Sequence, residues 1–150
     1  ENGIAAATSP IAQESTAAYI AAGRFKTFKP GESPVDGVKT TLEAGHTPGS
    51  TTYQFTSNGQ SILFMGDLIH DLAVQFEHPE VSISFDSNPK QAIASREQVF
   101  GDMASKKMWV AAAHLPFPGI GHITTVNKHF QWIPVEYGPY QRAAHVPLLK

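Results

Sequence analysis

The hydrophobic positions of this chain fall into two kinds of pattern, short alternating or continuous runs and longer stretches at helical spacing. Ser9-Pro10 followed by Ile11, Ala18, Tyr19 and Ala22, then Gly23, predicts a helix over 10–22 with an N-cap, a proline in the first turn and a glycine terminator. Residues 25–28 form a short strand candidate, and the Pro- and Gly-rich stretch up to Gly37 reads as a connection. Val38, Thr40, Leu42 and Ala44 alternate with more polar neighbours, as a half-buried strand requires. Thr51–Ser57 and Ser61–Met65 are rich in strand formers and flank Asn58-Gly59, a strong hairpin signal. Asn88-Pro89 with Gln91 resembles a capping box, and Ile93, Arg96, Phe100 and Met103 continue it into a helix over 89–104. Met108–Ala113 predicts a buried strand, and Ile123–Val126 with Phe130–Val135 a final hairpin around Asn127-Lys128.

Ile62–Met65 and Met108–Ala113 are apolar on both alternating faces, which places them centrally in a sheet covered on both sides. Two predicted helices cover one face only. The other face is therefore expected to be apolar and to pack against a second copy or another polypeptide, because large exposed apolar patches are rare on soluble monomers. No internal repeat or low-complexity stretch interrupts this pattern.

Composition narrows the function classes. At 150 residues, 41% hydrophobic and 16% charged, the chain is globular and of single-domain size. Its net charge of −2 is small and dispersed, which argues against nucleic acid or a membrane surface as partner. No apolar run approaches the roughly 20 residues that span a bilayer. The absence of cysteine removes disulfides, thiolate nucleophiles and zinc–thiolate sites, and leaves the compartment open. The start at Glu1-Asn2, with neither methionine nor a basic segment, is no signal peptide and suggests a chain processed or cut from something longer.

The chemistry lies just past three strand ends. His46 in Gly45-His46-Thr47-Pro48-Gly49, Asp67 in Gly66-Asp67 and His114 in Ala113-His114-Leu115-Pro116 each follow a strand-like run, so a sheet brings them to one edge. Singly, each has an ordinary explanation as a turn or capping residue. Together, imidazole and carboxylate suit zinc or a similar divalent ion, and a carboxylate can bridge two ions. The three side chains are expected to converge within metal-ligand reach.

These motifs, with Ala22–Lys26, Gly66–Ile69, Ala73–Phe76 and His114–Ile123, make the chain resemble the C-terminal half of a metallo-β-lactamase-fold hydrolase, most closely in the methyl parathion hydrolase branch. The resemblance implies an α/β half of a four-layer αββα sandwich, with one mixed sheet and helices on one face. It implies that His46 binds a first zinc ion, Asp67 bridges two and acts as the catalytic carboxylate, and His114 binds the second. The two ions would activate water and polarise the oxygen of an ester, lactone, amide or phosphotriester. Ser50 stands where many relatives have histidine and, with His122, is expected to support the site from behind the ligands. His70, His78, His129 and His145 match no ligand position and are read as surface or packing histidines. Asp86, Ser87 and Asn88 are explained by helix capping. The family's His-x-His-x-Asp-His motif is absent from these residues. With two ligands per ion, the isolated chain is expected to bind metal poorly and to be hydrolytically inert until joined by an N-terminal half or a second copy. The competing expectation is a non-catalytic half-domain that acts through association.

Overall fold

The computed structural model describes residues 3–136. Six strands form one sheet in sequence order, β1 (Val38–Leu42), β2 (Thr51–Ser57), β3 (Gln60–Phe64), β4 (Trp109–Ala111), β5 (Ile120–Val126) and β6 (His129–Pro134). All neighbours are antiparallel except β3 and β4. That parallel pair needs a crossover, which the chain supplies through helix α3. The helices are α1 (Gly3–Ala21), the short α2 (Leu72–Gln75) and α3 (Pro89–Lys106), and a 3-10 turn spans Gly66–Leu68. No helix among the described residues is long and apolar enough to cross a membrane.

Helix α3 starts where its sequence predicts. Asn88 Oδ1 accepts from Gln91 N at 3.2 Å, while Gln91 Oε1 lies 3.4 Å from the Asn88 side-chain amide, so the reciprocal arm of the capping box reaches the side chain. The helix buries Ala92, Arg96, Val99, Phe100 and Met103 along one stripe. This stripe packs over Leu63, Val110 and Ile123 of the sheet. Phe76 joins it, stacked on Phe100 at 4.8 Å and close to Trp132 at 5.7 Å. Deleting a ring such as Phe100, which is fully buried, costs on the order of 3–5 kcal/mol in such a core.

The opposite face is open. Cross-strand register aligns Phe55 with Ile62, Ile62 with Trp109, and Phe64 with Ala111, so these side chains share one face. Phe55, Phe64, Trp109 and Ile133 are all exposed there. Among the described residues only its β1 edge is covered, where Thr40 Oγ1 donates to the Glu32 carbonyl and Phe28 packs edge-on against Tyr53.

Several expectations are corrected. Helix α1 begins before residue 10, with Pro10 in its interior, and from Pro10 onward nearly all of its side chains are exposed. From Pro10 onward it therefore covers neither sheet face, because its scattered alanines with Ile11, Tyr19 and Ile20, all three exposed, make no wide apolar stripe. Residues 25–28 are not a strand, since no neighbouring strand offers them a ladder of hydrogen bonds. Strand β1 ends at Leu42 because Glu43 and Ala44 leave the β2 register. Strand β5 begins at Ile120, earlier than expected, because Ala111 pairs with Ile120 and Val110 with Gly121.

Candidate metal centre

The loops after β1, β3 and β4 meet at one sheet edge. The first is set by Gly45, whose φ of +144° lies in the region that favours glycine and whose added Cβ would come within 2.2 Å of Ala92 N. The His46 turn thus lies directly against the start of α3. Asn88 N donates to the Gly45 carbonyl at 2.9 Å, Ser87 Oγ to the same oxygen at 3.0 Å, and Ser87 N to the His46 carbonyl at 3.0 Å. After β3, Met65 N donates to the Ala111 carbonyl, extending the β3–β4 pairing to the point where Asp67 and His114 leave the sheet.

Asp67 sits between two histidines. Its Oδ2 faces His46 Nε2 at 3.6 Å and its Oδ1 faces His114 Nε2 at 3.0 Å. The three predicted residues therefore converge, with one carboxylate oxygen toward each imidazole. His46 Nδ1 lies 3.1 Å from Oδ1 of Asp86, whose side chain is completely buried. With Nδ1–H donating to that carboxylate, His46 Nε2 is left as a lone pair directed at a second acceptor, Asp67 Oδ2. Two acceptors facing each other at 3.6 Å make no hydrogen bond. The spacing suits a cation, because two ligands of a tetrahedral zinc with bonds of about 2.0–2.2 Å stand roughly 3.3–3.6 Å apart. The donor set and this spacing fit a divalent ion.

Asp86 is fixed in turn by Arg96, 3.9 Å away and also buried, and by Ile83 N at 3.1 Å. The Arg96 guanidinium spends its remaining donors on carbonyls, Nε on Leu68 at 2.8 Å and Nη1 on Pro79 at 2.6 Å and Val81 at 2.9 Å. It thereby ties the segment after Asp67 to the segment before Asp86. The capping explanation of Asp86 is corrected. Asn88 caps the helix, whereas Asp86 turns inward to orient His46 in a carboxylate–imidazole arrangement typical of metal ligands. The sequence signal was Arg96 on the apolar stripe of α3, since a buried guanidinium demands a buried acid.

His70 is the second correction. Its ring lies 4.6 Å from that of His46 and stacks on that of His114, also at 4.6 Å. His46, Asp67 and His70 each offer a ligand atom, all within 4.8 Å of one another. The backbone that carries His70 is held by buried Gln75, whose Oε1 accepts from His70 N at 2.7 Å and Asp71 N at 3.2 Å. Its Nδ1 is buried and has no hydrogen-bond partner among the described residues, which in a dry site costs about 1–3 kcal/mol. Burial pushes the imidazole below its ordinary value of 6.5, with His46 and His114 acting the same way and Asp67 and Asp86 opposing. The ring is therefore neutral, the ligand form, at pH 7. Sequence reasoning missed it because it matched no known ligand position. The usable signal was its place three residues after Asp67, across a tight turn.

Ser50 closes the His46 turn, accepting from Thr47 N at 2.9 Å and pairing with Thr47 Oγ1 at 2.9 Å, and it lines the pocket containing His46 and Asp67 without bonding either. His122 is not brought to the group. Its ring packs against Trp109 at 3.9 Å and its Nδ1 lies 3.0 Å from the Met108 carbonyl. His78 pairs with Glu80 and His129 with the Glu77 carbonyl, both at the surface, and His145 lies outside the described residues.

The mixed six-stranded sheet with its helices, and a metal-suited edge past the strand ends, define the α/β fold of metallo-β-lactamase-superfamily hydrolases. Among solved structures the chain is similar to a hydrolase of the beta lactamase superfamily, AbOPH, with 42% identity and a TM-score of 0.80 over 84% of this chain and 43% of that one. It is also similar to AidC, a dizinc quorum-quenching lactonase solved with a homoserine product, with 29% identity and a TM-score of 0.73 over 78% of this chain and 40% of that one. A probable metal-dependent hydrolase from Staphylococcus aureus, 21% identical with a TM-score of 0.63, shares the fold. No protein-family model and no curated protein matches the chain. The chain thus spans about two fifths of the length of the structures it resembles.

Proposed function

We propose that this chain is the C-terminal part of a metal-dependent hydrolase, with a dinuclear zinc centre completed by an N-terminal half or by a second copy of the chain. The observation that carries the reading is the orientation of Asp67, one oxygen toward His46 and the other toward His114. The likeness to a dizinc lactonase and to a beta-lactamase-superfamily hydrolase supports it. His46 and Asp67 would hold one ion, Asp67 and His114 the other. Two such ions supply a nucleophile from water near neutral pH and polarise the substrate oxygen. Asp86 keeps the His46 proton on Nδ1, so that Nε2 stays available, and Arg96 holds Asp86 in place. The open apolar face of Phe55, Phe64 and Trp109 is where the completing polypeptide would pack. The substrate is a small molecule with an ester, lactone, amide or phosphotriester bond, and the motifs favour the methyl parathion hydrolase branch.

The test is reconstitution. The chain, mixed with a segment carrying His-x-His-x-Asp-His and loaded with zinc, should hydrolyse aryl esters, lactones or phosphotriesters, and the chain alone should not. No turnover by a well-formed complex, or turnover that survives Asp67→Ala, would refute the reading.

A further inference from the structure

We propose that the cavity beneath the end of β1 is a binding site for a small organic cation, an alkylammonium group that pairs with the buried carboxylate of Glu43 and lays its short chain against Met65, Leu68 and Ala92. The site needs no metal ion and goes beyond the reading of the chain as a hydrolase.

Two observations carry it. The first is Glu43 itself, which is 8% exposed and whose carboxyl has no hydrogen bond or ion pair among the described residues. A buried carboxylate without a partner is costly, so folded proteins ordinarily supply it with a cation or a hydrogen-bond donor. Burial raises the Glu43 carboxyl above its ordinary value, and the like charge of Asp102 acts in the same direction. A cation beside Glu43 offsets both effects.

The second observation is the space in front of it. Glu43 lines a cavity of about 220 Å³ with Ser50, Met65, Leu68, Ala92 and Arg96, and the cavity reaches His46 and Asp67. The polar neighbours of Glu43 are engaged elsewhere. Glu43 N donates to the Ser50 carbonyl at 2.7 Å, yet the Ser50 hydroxyl accepts from Thr47 N and pairs with Thr47 Oγ1. Arg96 donates to the Leu68, Pro79 and Val81 carbonyls and turns Nη2 toward Asp86 at 3.9 Å. The one guanidinium on the wall thus already has its carboxylate, and Glu43 is the acid left without a counterpart. A hydrated divalent ion fits poorly, because it calls for several oxygen ligands. The side chains of Met65, Leu68 and Ala92 offer none. They suit the hydrocarbon part of a primary amine whose ammonium donates to Glu43.

The experiment titrates the metal-free chain, with a chelator present, with n-propylammonium chloride, and with n-propanol and sodium chloride as controls. Side-chain carboxyl and backbone amide resonances are followed. Saturation with a Kd of about 1 mM is expected, within what four non-hydrogen atoms can supply. Propanol should bind about tenfold or more weakly, because it lacks the charge-assisted hydrogen bond. The Glu43 carboxyl resonance should shift together with the amides of Ser50 and Ala92. Glu43→Gln should weaken binding by about tenfold or more. Asp67→Asn should weaken it by less than about threefold, because an exposed carboxylate offers only a screened ion pair. Equal binding of propanol, unchanged binding in Glu43→Gln, or a loss in Asp67→Asn equal to that in Glu43→Gln overturns the proposal. If Glu43→Gln fails to fold, the unaltered chain decides: a silent Glu43 carboxyl at saturating propylammonium overturns the proposal, and a shifted one upholds it. None of these outcomes touches the hydrolase reading, which stands or falls on zinc-loaded turnover and Asp67→Ala.

Discussion

The two sides of Asp67 are built differently. On the His46 side the imidazole is 18% exposed, backed by a carboxylate with no exposure, which is itself held by a guanidinium at 1%. On the His114 side the imidazole is 46% exposed and meets Asp67 and the His70 ring. The difference teaches which part of the site this chain specifies by itself. A buried network fixes one ligand's tautomer and direction, whereas the exposed ligand leaves room for side chains from elsewhere. The sheet repeats the contrast, with one face closed by α3 and the other presenting Phe55, Phe64 and Trp109 to solvent.

The comparison can be broken most severely at Asp67, which both sides share. Asp67→Ala should lower hydrolysis by the reconstituted protein on the order of a thousandfold, because the ions it would bridge in the proposed centre would contribute several kcal/mol to the reaction. Steady-state rates with a fixed substrate check this.

Arg96→Met tests the buried side. It leaves Asp86 charged and buried with its cation gone, at a cost of about 3–5 kcal/mol. A thermal or denaturant melt measures the loss, and an unchanged midpoint would show that the network contributes nothing to stability.

Asp86→Ala separates orientation from folding. Removing such a supporting carboxylate weakens metal affinity by about 10–100-fold. The same change should leave the His114 side untouched, so a competition titration of the isolated chain detects it.

Acid sharpens the comparison further. The His70 imidazole lies below 6.5 in the folded, metal-free chain, so between that lowered value and 6.5 the unfolded chain binds more protons than the folded one. Stability should therefore be undiminished by this group above pH 6.5 and fall as pH drops through that window. Melts at stepped pH check the sign.

The smallest expected effect on stability is at the open face. Phe64→Lys should change the melt of the isolated chain by no more than about 0.5 kcal/mol, as at other exposed positions. Yet it should prevent association with the completing segment, which size-exclusion chromatography reports.

The sheet was legible where period and turn chemistry agreed. Thr51–Ser57 and the Asn58-Gly59 turn, α3 from its Asn88 cap, and the central positions of β3 and β4 all follow from local pattern. The reach of α1 did not follow, because a run of alanines continues a helix through Pro10 without an apolar stripe to mark its packing. His46, Asp67 and His114 were legible as strand-end residues. Asp86 and His70 were not, since their roles depend on tertiary burial. Asp86 turns inward only because Arg96 lies beneath it, and His70 reaches the site only because Gln75 holds its backbone.

Anomalous diffraction at the zinc edge, from crystals of the chain grown with zinc, tests the central claim most directly. A peak within bonding distance of both His46 Nε2 and Asp67 Oδ2 is the predicted result. Zinc found only at surface histidines such as His78 or His129, with the Asp67 edge devoid of anomalous signal, would contradict it.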